Sequence, residues 1–403
     1  MLRTDAAGAR WWPSLSLPRA ATVFIALVWI SIAIPGLAIP KGILILGYCL
    51  YLVLTTPFST SSAIWMASVL LSLLLPTVVA CFRSVDTSDM LRHFARMLFF
   101  FVAVSAGALI MRRDPRIANV ETLDKLIWRT AFSSMLLKVA ILGGVVLGLF
   151  TFQAAQGFLG FESVTEDIGA NLQRLQFPSD IAIIFLVPCY TGRRRMVDVL
   201  FIVSVSIIVF TSFSRFLFGA FVVVLIMRSL WLRTIDRTFI TATLIAFVAA
   251  SLFAVALSQR FLGSASSDSI RTEQMTKLSG MFVEHPIVGT GMGSSVPGYL
   301  RSTRNRYFYE VEWYAMAMQF GLLGLTWLIV NFSVFILSQP IPRRERRYAN
   351  AVLLLWAVSG FTNAYLTAVG GAFGICILLI RCFSDDRVAG VPALQYAGGL
   401  PSR

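Results

Sequence analysis

Three arginines, two glutamates and a histidine are the residues of this chain best placed to do chemistry. Arg215, in Thr211-Ser-Phe-Ser-Arg-Phe216, is the only charged residue between Asp198 and Arg228. Its planar guanidinium offers two parallel hydrogen bonds, a geometry that phosphate oxygens accept. The plainer role is an arginine snorkelling to a membrane interface. Arg271, in Ser267-Asp-Ser-Ile-Arg-Thr-Glu-Gln274, falls near the start of a helix predicted over about 268–284. The helix dipole disfavours a cation in a first turn. A bound anion reverses that, because free N–H groups and the arginine then act together. A solvated arginine paired with Asp268 or Glu273 is the alternative. Arg174, in Gln173-Arg-Leu-Gln-Phe-Pro-Ser-Asp180, precedes a proline that sets an extended approach to the next segment. Taken alone it equally fits a surface arginine.

Glu310 and Glu312 open an apolar run, in Tyr309-Glu-Val-Glu-Trp-Tyr-Ala315. Acidic residues in a first helical turn are favoured by the dipole. A carboxylate held at a membrane surface could instead serve as general base. Arg301, Arg304 and Arg306 lie just upstream and add positive charge that an anionic ligand could meet. His285 stands in Glu284-His-Pro-Ile-Val-Gly-Thr-Gly-Met-Gly293. It is a candidate base or substrate contact, although His-Pro followed by three glycines reads first as a shaped turn. Those glycines could also present N–H groups to phosphate. His93 reads as interfacial. Lys138 is a cation inside an apolar segment, and such residues either face a functional partner or snorkel. The chain has no metal-ligand cluster, no Ser-His-Asp set and no paired Asp motif for Mg²⁺. Its five cysteines fall in or beside apolar segments without metal spacing and read as buried free thiols.

The elements that must position these residues are apolar. Hydrophobic residues make up 57% of the chain and charged residues 13%, about half the charged share of an ordinary soluble domain. That excludes a disordered chain and a small disulfide scaffold. It predicts an all-α polytopic membrane protein with about 12 transmembrane helices. Apolar segments fall near 20–40, 42–58, 62–82, 97–111, 130–152, 180–191, 197–214, 216–232, 238–257, 311–337, 349–368 and 370–383. The segments 180–191 and 370–383 are short and must be buried, extended or tilted. A cleaved signal peptide is disfavoured, because the first run is long enough to span.

Only four of the 34 basic residues are lysine, so the net charge of +14 is carried by arginine. Its first use is topological, not nucleic-acid binding. With both termini cytoplasmic, 21 basic residues fall on inner segments and twelve on outer ones, in line with the positive-inside rule. The resulting plan has cytoplasmic tails at 1–18 and 384–403. Helices 1–9 occupy 19–257 with a periplasmic loop at 153–179. A large, partly helical periplasmic loop at 258–310 precedes the tenth helix, and helices 10–12 occupy 311–383. A loop above 50 residues exceeds what a connection needs, and its arginines point to an anionic ligand at the outer leaflet.

Three stretches resemble the O-antigen polymerase and O-antigen ligase superfamily of bacterial surface-polysaccharide assembly. They are Arg174-Leu-Gln-Phe-Pro-Ser179, then Ser214-Arg215, then the run from Arg271 through His285-Pro-Ile-Val-Gly-Thr-Gly-Met-Gly293 to Glu310-Val-Glu-Trp-Tyr and Gly321-Leu-Leu-Gly324. The similarity covers about 170–330. It implies a metal-independent glycosyltransferase of the bacterial inner membrane, without cofactor, acting at the periplasmic face. Its partners would be undecaprenyl-pyrophosphate-linked oligosaccharides, the bilayer and a co-polymerase that regulates chain length. By the resemblance Arg215 and Arg271 hold the pyrophosphate and Arg174 supports them; Arg304, Arg306 and His285 are further candidate contacts from their place in the loop, and Glu310 or Glu312 is the candidate base. Ligases typically carry a His-Asn pair where this chain has Glu310-Val311, so the resemblance favours a polymerase (O-antigen, capsule or exopolysaccharide) over a ligase acting on lipid A–core. A twelve-helix transporter or flippase is the rival from another class. Against it, no large loop separates two halves, and the charges gather at the outer face.

Overall fold

The structure is a computed structural model. It describes residues 19–56, 60–159, 175–192, 195–212, 214–232, 265–300, 306–339, 341, 343–362 and 366–383. The predicted ninth span (238–257), both tails, Arg174 and Arg304 lie outside the described residues. The described residues form helices and connections with no strand. In chain order the α-helices are α1 (Arg19–Ala33), α2 (Ala38–Thr55), α3 (Thr60–Phe82), α4 (Thr87–Arg113), α5 (Val120–Val146), α6 (Phe152–Leu159), α7 (Asp180–Leu186), α8 (Arg195–Ser212) and α9 (Arg215–Leu232). They continue with α10 (Ala265–Glu284), α11 (Glu312–Ser338), α12 (Arg343–Ser359) and α13 (Val369–Phe383).

Four stretches are long and apolar enough to cross a membrane: Ala63–Phe82, Thr87–Met111, Val120–Val146 and Glu312–Ser338. Leucines such as Leu54, Leu322 and Leu337 point outward and are exposed. In a chain with spans of this kind, so much outward apolar surface belongs to a membrane protein. The twelve-span plan is met in part, by helices at eleven of the twelve predicted positions.

Several boundaries move, for physical reasons. Helix α4 starts ten residues before the predicted span at 97–111, because Asp86 caps it by accepting from the N–H groups of Ser88 and Asp89. Asn119 does the same for α5 through Glu121 and Thr122, which starts that helix before 130. Helix α12 ends at Ser359 rather than continuing to 368. The expected loop 153–179 opens with the short helix α6.

The two short segments lie inside the bundle. Every residue of α7 is buried, and so is nearly all of α13. Helix α13 packs on α4 and α7 with backbones close together. A Cβ on Gly107 would lie 2.3 Å from Cys376 Sγ, and one on Gly374 would lie 3.3 Å from Ala182 Cβ. Small residues at such contacts let dispersion forces hold helices together where no hydrophobic effect separates lipid from protein. Burial among neighbours also removes the need for seven residues to span anything. Of the five free cysteines, four are buried as expected; Cys81 is exposed.

The loop after α10 inserts between α3 and the interrupted helix α11. Helix α11 is broken at Gly321 (φ 64°, ψ −178°), about 13 Å from its start at 1.5 Å per residue. Helix α3 contains Pro76. The N–H groups of Thr290 and Gly291 donate to Met318 O and Gln319 O at 2.8 and 3.0 Å, and Met292 N–H donates to Pro76 O at 2.9 Å. In return Leu322 and Leu323 N–H donate to Pro286 O and Ile287 O at 2.7 and 3.0 Å. Irregular backbone inside an apolar bundle is tolerated only when protein satisfies it, and here the loop and the break in α11 supply each other's partners. Gly321 must be glycine: its φ is positive, and a Cβ would lie 2.4 Å from Gly289 N and Ile287 O.

Candidate active site

Polar residues collect at two ends of the bundle. One end is formed by the starts of α4, α9, α10, α11 and α13. Within it, three of the residues that sequence singles out are joined to one another. The α8–α9 hairpin presents Arg215 at the first position of α9. Arg215 Nη2 donates to Asp268 Oδ1 at 2.5 Å. The same oxygen lies 3.6 Å from Arg271 Nη1, and Arg271 Nε donates to Glu310 Oε2 at 3.1 Å. Arg215, Asp268, Arg271 and Glu310 therefore form one chain of ion pairs. Burial is graded along it: side-chain exposure is 41% and 55% for Arg215 and Asp268, then 22% and 13% for Arg271 and Glu310.

Arg271 lies in the second turn of α10, not the first, because the helix begins at Ala265. The dipole penalty expected at the first turn therefore does not apply. The pairing with Asp268 expected for a solvated arginine is present, but Glu310 also holds the side chain from its buried side. One turn further along α10 is Gln274, a residue that sequence reading passed over. Its side chain is fully buried, and its amide oxygen accepts Glu310 N–H at 3.0 Å. That bond fixes which way the amide points. Its Nε2 is buried without a partner among the described residues, which leaves a donor beside Glu310.

Glu312 faces elsewhere. Its Oε1 accepts from Arg96 Nη2 at 2.9 Å and from the Thr367 hydroxyl at 2.6 Å, and its Oε2 accepts Leu366 N–H at 2.7 Å. Both oxygens are occupied by protein, and the carboxylate joins α4 and α11 to the segment before α13. Glu312→Gln is expected to lower stability by about 1–3 kcal/mol, the usual scale for a buried charged hydrogen bond. Thermal melting in detergent measures this. Glu310→Gln, on a partly open ion pair, is expected to leave the melt nearly unchanged.

Segment 306–312 lies along one face of α4. Arg306 sits 3.6 Å from both Asp86 and Asp89 carboxylates. Tyr307 stacks on His93 with centroids 4.7 Å apart, and the Arg96 guanidinium lies 5.7 Å from the centre of the Phe308 ring. His93 is therefore buried in protein, not interfacial. The spacing of Asp89, His93 and Arg96 on an otherwise apolar helix was the available signal: positions i, i+4 and i+7 share a face.

His285 is not brought to this cluster. It follows the far end of α10, about 20 Å along the helix axis from Arg271 at 1.5 Å per residue. Its backbone shapes the turn, receiving Gly289 N–H at 3.0 Å. The N–H groups of Gly289 and Gly291 bind His285 O and Gln319 O and are not offered to a ligand. Arg306 is anchored on α4.

Lys138 neither snorkels nor lines an open cavity. It is fully buried and pairs with Asp180 Oδ2 at 2.7 Å. It also donates to Leu175 O at 2.8 Å, while Phe177 N–H donates to the same Asp180 oxygen at 2.9 Å. Leu175 N–H in turn donates to Thr211 O at 2.9 Å. The residues just after Arg174 are thus tied to the end of α8, next to the Arg215 hairpin.

The chain matches no protein-family model, and no curated protein shows significant similarity to it. The functional reading therefore rests on the residues and their geometry. Two arginines joined only through an exposed carboxylate can exchange that carboxylate for a more highly charged anion. A partly buried carboxylate and a buried amide donor stand beside them. Among the described residues, His, Cys, Asp and Glu form no metal-binding group of three.

Proposed function

We propose that this protein joins undecaprenyl-pyrophosphate-linked oligosaccharide repeat units at the outer face of a bacterial inner membrane, as a polymerase of the O-antigen type. The observation that carries the reading is the convergence of Arg215, Arg271 and Glu310 into one ion-pair chain at a polar end of an apolar bundle. These residues come from three separate places in the sequence, and the resemblance gives them linked roles.

The chemistry follows from the arrangement. The donor pyrophosphate displaces Asp268, the most exposed member of the chain, and binds Arg215 and Arg271. The acceptor sugar hydroxyl approaches Glu310, whose backbone is held in place by Gln274. The acceptor oxygen forms its bond to the anomeric carbon while the bond from that carbon to the pyrophosphate oxygen breaks. The hydroxyl proton passes to Glu310, and undecaprenyl pyrophosphate leaves with the electron pair. Negative charge grows on the leaving group, and preorganised donors at a low-dielectric boundary stabilise it without reorganising. Glu310-Val311 stands where ligases carry His-Asn, which supports polymerase over ligase.

Reconstitution in liposomes tests this. A matched undecaprenyl-pyrophosphate oligosaccharide alone is expected to yield a ladder of products on a gel. A single transfer that requires added lipid A–core would make the protein a ligase. No product from either mixture, with movement of the intact lipid-linked sugar across the bilayer instead, would make it a flippase.

A further inference from the structure

The bundle carries a second polar mouth, far from the ion-pair chain. Arg19 opens α1, while Thr55 and Arg113 close α2 and α4. Helices α1 and α2 run antiparallel, joined where the Tyr48 hydroxyl donates to Ala20 O at 2.8 Å. Between them is an open groove of about 420 Å³. Its floor is Val23, Ile43, Leu44 and Gly47, and Arg19 and Tyr51 stand at its mouth. Arg113 extends the mouth: it donates to the Tyr51 hydroxyl at 3.0 Å and to the Thr55 hydroxyl, with its guanidinium 4.9 Å from the Tyr51 ring centre.

We propose that this groove binds an anionic phospholipid, with the phosphate at Arg19 and Arg113 and one acyl chain along Ile43, Leu44 and Gly47. Three features fix the occupant. The floor is apolar and exposed on the outer surface of the bundle, where the surroundings of a membrane protein are lipid. From Tyr51 to Ile43 the groove runs about 12 Å at 1.5 Å per residue, close to the roughly 15 Å depth of one leaflet's hydrocarbon. The mouth is positive: no acidic residue lines the groove, Arg19 is part of its lining, and Arg113 donates to Tyr51 at its edge. Basic pockets between membrane helices favour anionic headgroups in this way. Tyr51 has the apolar ring and polar tip suited to headgroup depth.

Gly47 supplies a clean test, because a Cβ built there meets no atom within 4 Å. Gly47→Trp should place a bulky ring in the groove from a Cβ position that meets no protein atom. The full chain, purified in mild detergent, is offered phosphatidylglycerol or phosphatidylcholine, and bound lipid is counted by native mass spectrometry. Phosphatidylglycerol is expected to be retained over phosphatidylcholine, and Arg19→Gln is expected to cut that preference about fivefold. Gly47→Trp is expected to lose the bound lipid with its melting temperature unchanged. Equal retention of the two lipids overturns the proposal. So does unaltered phosphatidylglycerol retention in Arg19→Gln, which decides the matter should Gly47→Trp fail to fold. Displacement of the lipid by an equal concentration of inorganic phosphate would also overturn it, by showing a site that holds phosphate without the groove.

Discussion

Arg271→Ala is expected to lower glycan transfer by about 100- to 1000-fold, the range seen when one preorganised donor is removed from a developing negative charge. The reason is its position. Under the proposed reaction Arg215 and Arg271 share the leaving pyrophosphate, and in the resting protein they share Asp268. Arg271 is the more buried of the two and the only one that also touches Glu310. Its loss removes a phosphate donor and breaks the pair with the proposed base at once. Arg271→Lys should recover only part of the activity, because an ammonium group cannot hold two oxygens in parallel. Product-ladder assays on matched amounts of protein give the rate, and a melting curve shows that the fold survives. Full activity in Arg271→Ala would remove this residue from the mechanism. Unchanged turnover in Glu310→Gln would likewise end its proposed role as base.

The largest expected effect on stability belongs to Lys138 and Asp180. Both side chains are fully buried and lie 2.7 Å apart. Replacing either one by alanine leaves a lone charge in the bundle and is expected to cost about 3–5 kcal/mol. Replacing both together, Lys138→Met with Asp180→Leu, removes the charge rather than stranding it. The double variant should therefore be less destabilised than either single one. Chemical-denaturant midpoints in detergent compare the three. If the double variant falls by the sum of the singles, the two residues do not act as a pair. The pair also holds Leu175 and Phe177 against the end of α8, so the single variants should loosen the approach to Arg215 and slow transfer as well.

Much of the architecture was legible in the residues alone. Apolar runs located eleven described helices, because hydropathy is a local sum and a membrane helix satisfies its own backbone. Arg215 fell between two apolar runs, and the stretch before Glu284 marked a helix in the long loop. His-Pro followed by three glycines marked a turn, since such residues reach conformations others cannot.

Only tertiary structure decided which polar groups meet. Nothing local to Asp268 distinguishes it from a surface acid, yet it bridges two arginines. Nothing local separates Glu310 from Glu312, two residues apart, yet one joins the arginine chain and the other is sealed against Arg96, Leu366 and Thr367. Their side chains leave the backbone in different directions, and the helices that wait there come from distant parts of the chain. Burial of Lys138 with Asp180 and the fit of the glycine loop into the break at Gly321 are decided in the same way. Each depends on the register and separation of packed helices, which no window of sequence contains. Composition and spacing determined that the chain forms apolar helices with arginines near their ends; packing determined which of those arginines share an anion.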